Sequence, residues 1–170
     1  MHVRRPLHVL FDRDGTLVVD VPYNGSASKV VAIDGARRDL DRLRSAGLSA
    51  SVVTNQSGIG RGLLQLSEVE EVNHRVEELL GPFSSFELCP HVPTDFCNCR
   101  KPEPRLLLDA AAAAGVAIAD CIMVGDKLSD MQAAQAVNIP GILVSSHRSL
   151  HSFPSGALSF SDAVTSILAM

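Results

Sequence analysis

A short segment in the middle of the chain places soft metal ligands close together. The candidates are Cys89, His91, Cys97 and Cys99. Three thiolates and one imidazole can close a tetrahedral Zn²⁺ site, and four protein ligands leave no open position, which indicates a structural metal. A disulfide between Cys97 and Cys99 would be strained. The segment ends directly in Arg100 and Lys101, so a rigid loop would direct two positive charges towards a nearby target.

Two carboxylates lie two residues apart in the segment DRDGT at 12–16. From an extended backbone, Asp12 and Asp14 would point to the same side. One aspartate can be the nucleophile of phosphoryl transfer, while its neighbour protonates the leaving oxygen and later takes a proton from water. Mg²⁺, which prefers oxygen ligands, would suit such a site. Taken alone, the pattern is more typical of a solvated turn.

Reactive side chains also follow two other predicted strands. Thr54 ends the second strand and Asp126 follows the fourth. Since ligands bind at the carboxyl ends of strands in open α/β sheets, these residues should meet Asp12 at one edge. The Thr54 hydroxyl and the next N–H groups could bind phosphate oxygens, and Lys101 could neutralise the transferring group. The combination therefore predicts a phosphoryl-transfer site.

The elements that must position these residues alternate between short apolar runs and helical patterns. The predicted strands are His8–Phe11, 51–53, 86–88, 121–124 and 141–144. The predicted helices cover 33–43, begin at a capping box on Ser67, cover 104–114 and begin near Ser129. The tail is expected to add a strand near Leu158 and a helix capped by Ser161. This alternation predicts an α/β fold with an open, largely parallel, Rossmann-like sheet and helices on both faces.

Composition and charge exclude several classes of protein. The 170 residues are 46% hydrophobic and 20% charged, as expected for one globular domain. A net charge of −4 argues against nucleic acid as a partner. Apolar runs are too short for a membrane span or a signal-peptide core, so we expect a cytoplasmic protein whose cysteines are thiols or metal ligands.

Four motifs together resemble the haloacid dehalogenase (HAD) superfamily of phosphatases. They are the segment at 12–16, the segment VVTNQ at 52–56, Lys101, and the segment VGDKLSD at 124–130. With the Cys/His ligands, they resemble the zinc-containing branch that holds heptose bisphosphate phosphatases and histidinol-phosphate phosphatases. The resemblance implies a single HAD-like domain over 1–170, with a zinc-binding loop at 89–99 and no large cap domain.

The resemblance also implies roles for individual residues. Asp12 would be the nucleophile, and Asp14 the general acid/base. Mg²⁺ would be held by Asp12, the Asp14 backbone carbonyl and Asp126. The transferring phosphate would be held by Thr54, Asn55 and Lys101. The other expected substrate contacts are Asp20, Tyr23, Gln56, Ser57, Arg61, Arg100 and Lys127, with Arg100 and Arg61 directed at a second phosphate or another anionic group.

The resemblance leaves two substrates open. The segments at 54–62 and 124–134 favour D-glycero-D-manno-heptose 1,7-bisphosphate, hydrolysed at C7, although the loop at 21–25 departs from the heptose pattern. Histidinol phosphate is the alternative, and a non-catalytic zinc-stabilised binding module is the third interpretation. In each enzymatic case the partner is a small phosphorylated molecule, with no nucleic acid and no membrane. A monomer is expected, with a dimer as the alternative.

Overall fold

Five parallel strands form the centre of the computed structural model, which describes residues 6–145 and 158–170. The strands are β1 His8–Phe11, β2 Ser49–Asn55, β3 Phe86–Cys89, β4 Cys121–Gly125 and β5 Gly141–Leu143. Their order is β3-β2-β1-β4-β5, and each neighbouring pair is parallel. From β1 the chain first adds β2 and β3 on one side and then adds β4 and β5 on the other side. The switch point therefore lies between β1 and β4, where open sheets bind ligands.

Helices cover both faces of this sheet. They are α1 Ala36–Ser45, α2 Ser57–Gly60, α3 Leu66–Leu80, α4 Arg105–Ala114, α5 Leu128–Ala136 and α6 Phe160–Leu168. Alternate strand residues face opposite layers: Phe11 packs with α1, α3 and α6, whereas Leu10 packs with α4 and α5. The predicted α/β fold class is confirmed. In the described part of the chain, no large cap is inserted after β1 or between β2 and α4.

Two predicted helix starts are wrong by two residues. Gln65, not Ser67, precedes α3, and the Glu68 side chain accepts a hydrogen bond from the Gln65 N–H at 2.7 Å. Ser159, not Ser161, caps α6 by accepting from the Asp162 N–H at 3.1 Å. In both places several polar residues could serve as the cap, and packing against the sheet selects among them.

The strands fall close to their predicted positions. β1 matches its prediction, whereas β2 is longer at both ends than the predicted 51–53. Of the strand expected near Leu158, the described residues show one bridge, between Val144 and Leu158. Among the described helices, none combines the length and apolar character that crossing a bilayer requires.

A buried histidine joins the two central strands. His8 on β1 is fully buried, and its ring nitrogens lie 2.6 Å from the Ser49 Oγ and 3.0 Å from the Ser51 Oγ on β2. Burial lowers the pKa of His8 from 6.5 to about 4. Between about pH 4 and pH 6.5, His8 is therefore mostly neutral in the folded protein but mostly protonated in the unfolded chain.

This difference predicts acid-sensitive stability. Because the pKa of His8 is lower in the folded state, the unfolded chain binds more protons below pH 6.5, and stability falls as the pH drops towards 4. Between pH 7 and pH 5 the wild type should lose about 2 kcal/mol more than His8→Gln, measured by urea unfolding. Other acid-sensitive groups are common to both proteins and cancel. Equal losses would show that His8 does not carry the effect.

Candidate active site and metal centres

The carboxyl ends of the central strands meet as the sequence predicted. Asp12 follows β1 directly, and its N–H donates to the Val124 carbonyl of β4 at 2.9 Å. Thr54 lies at the end of β2, and Asp126 follows the last residue of β4. Asp12 and Thr54 are almost completely buried, with 4% and 1% of their surfaces exposed. The side chains expected to react are thus gathered at the switch point of the sheet.

A buried lysine joins this group from a distant part of the chain. The Lys101 Nζ lies 2.9 Å from Asp12 Oδ1 and 2.7 Å from Asp130 Oδ1, and it donates to the Val53 carbonyl at 2.8 Å. Burial opposes the charge of Lys101, but the two carboxylates outweigh it and raise the pKa of the ammonium group. Burial likewise opposes the charge of Asp12, whereas Lys101 and Lys127 lower the pKa of its carboxyl group. Asp12 is therefore an ionised carboxylate, as a nucleophile must be.

Asp130 is the residue of this cluster to which the sequence assigned no role. Its Oδ2 accepts from the Lys127 N–H at 3.1 Å, which caps α5, while its Oδ1 faces Lys101. Gly125 permits this approach, because a Cβ there would collide with the Asp130 carboxylate. An acidic residue in the first turn of a helix ordinarily needs no other explanation. Asp130 is the last residue of the motif at 124–130, but its contact with Lys101 could not be predicted, because it depends on where Lys101 lies.

Three carboxylates form a group that could hold a hard cation. Oxygen atoms of Asp12, Asp126 and Asp130 all lie within 4.8 Å of one another. Burial, and then the charge of Asp12, raise the pKa of Asp126 to about 7. Gly15 lets Asp126 approach, since a Cβ at this position would collide with its carboxylate. Oxygen donors with unbalanced negative charge are the environment that Mg²⁺ prefers, so these residues fit the expected ion.

Asp14 has partners different from those of Asp12. Its two carboxylate oxygens accept from Arg13 Nε at 3.0 Å and Arg13 Nη2 at 3.1 Å, and Oδ2 also accepts from Gln56 Nε2 at 2.9 Å. Gln56 Nε2 lies 2.8 Å from the Thr54 hydroxyl as well. Asp12 and Asp14 nevertheless line the same small cavity, together with Thr54. One carboxylate is thus paired with a lysine and the other with an arginine, on the wall of one site.

A pocket of about 290 Å³ opens beside this cavity. It contains most of the predicted substrate contacts: Asp20, Tyr23, Asn55, Gln56, Ser57 and Lys127. Asp14 lines both the pocket and the cavity, so it stands between them. Arg61 and Arg100 do not line the pocket. Arg61 directly follows α2, and Arg100 Nη1 donates to the His91 carbonyl at 3.3 Å.

Asn55 holds the backbone at Lys101. Its Oδ1 accepts from the Lys101 N–H at 3.0 Å, and its Nδ2 donates to the Lys101 carbonyl at 3.1 Å. These bonds occupy the side-chain amide that the sequence assigned to phosphate. They connect the end of β2 to the residue that carries the ammonium group, so Asn55 fixes the direction from which Lys101 enters the site.

The predicted zinc ligands also come together. Cys97 Sγ lies 3.7 Å from the sulfur atoms of Cys89 and Cys99, and His91 Nδ1 lies 3.5 Å and 3.3 Å from those two sulfur atoms. A tetrahedron with Zn–S bonds of about 2.3 Å and a Zn–N bond of about 2.0 Å has edges of about 3.5–3.8 Å. The four donors therefore fit a tetrahedral Zn²⁺ ion. Cys121 is buried in β4, outside this group.

Hydrogen bonds within the cysteine loop favour a thiolate. Burial opposes ionisation of Cys97, but backbone N–H groups, including that of Arg100 at 3.4 Å from Sγ, lower the pKa of this thiol to about 7. Burial raises the pKa of Cys89 to about 12. Cys89 would therefore need a cation to ionise near neutral pH, which is what a zinc ion supplies to its thiolate ligands.

Comparison with known proteins agrees with this geometry. A family model described as HAD-hydrolase-like matches residues 98–152. The chain is 34% identical over 171 residues to the D-glycero-β-D-manno-heptose-1,7-bisphosphate 7-phosphatase of Pseudomonas aeruginosa, covering 94% of this chain and 96% of that protein. It is 37% identical over 142 residues to the enzyme of the same name from Escherichia coli K12, covering 77% and 74%.

A solved structure shares the whole architecture. The D,D-heptose 1,7-bisphosphate phosphatase of B. bronchiseptica, solved with magnesium and phosphate, superposes with a TM-score of 0.80 at 28% identity and covers 95% of this chain and 98% of that chain. The fold, the grouped site residues and these relatives agree. The chain belongs to the HAD-like hydrolase family, among its phosphatases.

Proposed function

We propose that the protein is a Mg²⁺-dependent phosphatase that removes the C7 phosphate of D-glycero-D-manno-heptose 1,7-bisphosphate through an aspartyl-phosphate intermediate. The observation that carries the proposal is the buried contact of 2.9 Å between Lys101 and the Asp12 carboxylate at the switch point. The substrate is inferred from relatives at 34% and 37% identity whose names specify that sugar bisphosphate.

The metal requirement follows from the carboxylate cluster. Asp12, Asp126 and the Asp14 backbone carbonyl would hold Mg²⁺, which when bound neutralises charge on the phosphate and orients it for in-line attack. Asp130 is committed to Lys101 and the start of α5. We therefore assign it to positioning the lysine rather than to the metal.

The chain's own residues perform two displacements. A carboxylate oxygen of Asp12 attacks phosphorus, the bond from phosphorus to the sugar oxygen breaks, and Asp14 gives that oxygen a proton. Water then attacks the aspartyl phosphate, its proton passes to Asp14, and inorganic phosphate leaves with Asp12 restored. Lys101 and the Thr54 hydroxyl stabilise the charge on the transferring group. Asp14 lines both the cavity and the pocket, as this role requires.

The pocket beside the cavity would receive the sugar. Asp20 and Ser57 offer oxygen atoms to its hydroxyl groups, and Lys127 lies where it can reinforce the phosphate site. Arg100 and Arg61 do not line the pocket, and we propose that they meet the second phosphate from outside it. The loops supply these contacts because no large cap closes over the described part of the sheet.

The proposed Zn²⁺ has a structural role. With three thiolates and His91 as ligands, the ion has no open position for substrate. The cysteine loop leads directly into Arg100 and Lys101, and Asn55 holds its exit by two hydrogen bonds. The ion would therefore fix the loop that delivers both cations.

Replacing the nucleophile tests the covalent mechanism. Asp12→Asn should lower kcat on the bisphosphate by at least about 10³-fold, because an amide cannot form the aspartyl phosphate. The assay follows phosphate release with Mg²⁺ present, and thermal unfolding reports folding. Asp109→Asn is the matched control, since Asp109 is an exposed carboxylate on α4 that pairs with Arg105. Undiminished hydrolysis by folded Asp12→Asn would contradict the mechanism.

Removing one sulfur ligand tests the metal centre. The wild type should contain about one Zn²⁺ per chain by elemental analysis, and Cys97→Ala should lose it. Its kcat should also fall about tenfold or more, because the loop that positions Lys101 is loosened. Cys121→Ala is the matched control, since Cys121 lies outside the cluster. Full activity in a verified zinc-free protein would refute the coupling.

Replacing Arg100 tests its proposed contact with the second phosphate. Arg100→Gln should lower kcat/KM for the bisphosphate about tenfold, because its second phosphate loses one charge-assisted contact. For the monophosphate analogue, which lacks that phosphate, kcat/KM should fall less than about threefold. Arg105→Gln is the control, since Arg105 is exposed and pairs with Asp109. Equal losses on both substrates would remove the assigned role. If wild-type kcat/KM were higher for histidinol phosphate than for the bisphosphate, the proposed substrate would be wrong.

A further inference from the structure

A buried chain of polar contacts runs from α3 to the proposed general acid/base. Arg13, which follows the nucleophile, is only 1% exposed. One side of its guanidinium group holds both oxygens of Asp14, and its Nη1 donates to Asn73 Oδ1 at 2.7 Å. Asn73 is 7% exposed and lies in the middle of α3. No step of the mechanism above uses Arg13 or Asn73.

The contacts leave Asp14 little freedom. A carboxylate offers about four lone-pair positions, and Arg13 and Gln56 occupy three of them. The Asp14 side chain is still 21% exposed, and it lines both the cavity and the pocket. The remaining position is therefore free to carry the proton that Asp14 gives to the leaving oxygen and later takes from water.

The orientation of Asp14 depends in turn on that of Arg13. A guanidinium group is planar and rigid. A hydrogen bond that holds Nη1 therefore also fixes the directions in which Nε and Nη2 point. Asn73 accepts the hydrogen bond that holds Nη1. It lies on α3, which packs against the face of the sheet containing Phe11. Without this acceptor, Nη1 would lose a short buried hydrogen bond, and the group could turn away from Asp14.

We infer that Asn73 is a positioning residue for proton transfer, acting through Arg13 on Asp14. The inference rests on the proposed function in one respect, namely that Asp14 protonates the leaving oxygen. Asn73 lines neither the cavity nor the pocket, and it is connected to Asp14 through Arg13. Its loss should therefore lower the rate only where departure of the leaving group needs a proton.

The test compares two leaving groups. An alkyl phosphate needs a proton on its departing oxygen, whereas p-nitrophenyl phosphate releases a stable anion without one. Asn73→Leu should lower kcat/KM by at least about tenfold for the bisphosphate and by less than about threefold for p-nitrophenyl phosphate. The value of kcat/KM does not depend on the later hydrolysis of the aspartyl phosphate, which is the same intermediate for both substrates.

Three further variants separate positioning from folding. Asn73→Ala gives a second loss of the acceptor if the leucine variant does not fold, and Asn73→Asp, which keeps an acceptor oxygen, should restore most of the activity on the bisphosphate. His74→Leu is the control for the same substitution on the same helix, because the His74 side chain is 75% exposed. Thermal unfolding is recorded for each.

A selective loss in Asn73→Leu or Asn73→Ala, together with rescue by Asn73→Asp, supports the inference. Equal losses on both substrates, or no loss, overturn it. Failure of the wild type to hydrolyse the bisphosphate would instead contradict the proposed substrate. The comparison of leaving groups would then use the alkyl phosphate that the wild type hydrolyses best, so the two failures remain distinct.

Discussion

The ammonium group of Lys101 is the point at which the parts of this molecule meet. It is buried, and it contacts Asp12 after β1, the Val53 carbonyl in β2 and Asp130 in α5. Removing one partner of such a buried pair typically costs about 3–5 kcal/mol, since the remaining charge is left without compensation. The same contacts keep Asp12 ionised. The stability of this edge of the sheet and the ionised state of the proposed nucleophile, Asp12, thus depend on one cation.

The sheet order explains why so many groups reach this cation. β2 and β3 lie on one side of β1, and β4 and β5 lie on the other. The connections after β1 and β4 therefore leave in different directions and open a crevice at the carboxyl ends of these strands. Gly15 and Gly125 line that crevice without side chains, which lets Asp126 and Asp130 approach closely. Larger residues at either position would force the carboxylates away from Asp12.

The sequence was informative where local chemistry determines position. β1 and the clustering of Cys89, His91, Cys97 and Cys99 could be predicted because strand patterns and ligand spacing are local signals. The caps at Gln65 and Ser159 were missed, since neighbouring polar residues were equally suitable before packing was known. The contact of Arg13 with Asn73 joins positions 60 residues apart, and only the rotation of α3 against the sheet determines it. No pattern in the sequence carries that information.

The position of Lys101 in the chain explains why an ordered cysteine loop would matter for the site. The residue lies in the connection between β3 and α4, so its own backbone is not part of a strand or a helix. Immobilising a lysine side chain costs up to about 2 kcal/mol of conformational entropy, and a mobile backbone would add to that. Asn55 holds the Lys101 backbone from one side, and the proposed Zn²⁺ would hold the loop that precedes it. The proposed Zn²⁺ would therefore influence the rate without contacting the substrate, because it would determine where the charge of Lys101 lies.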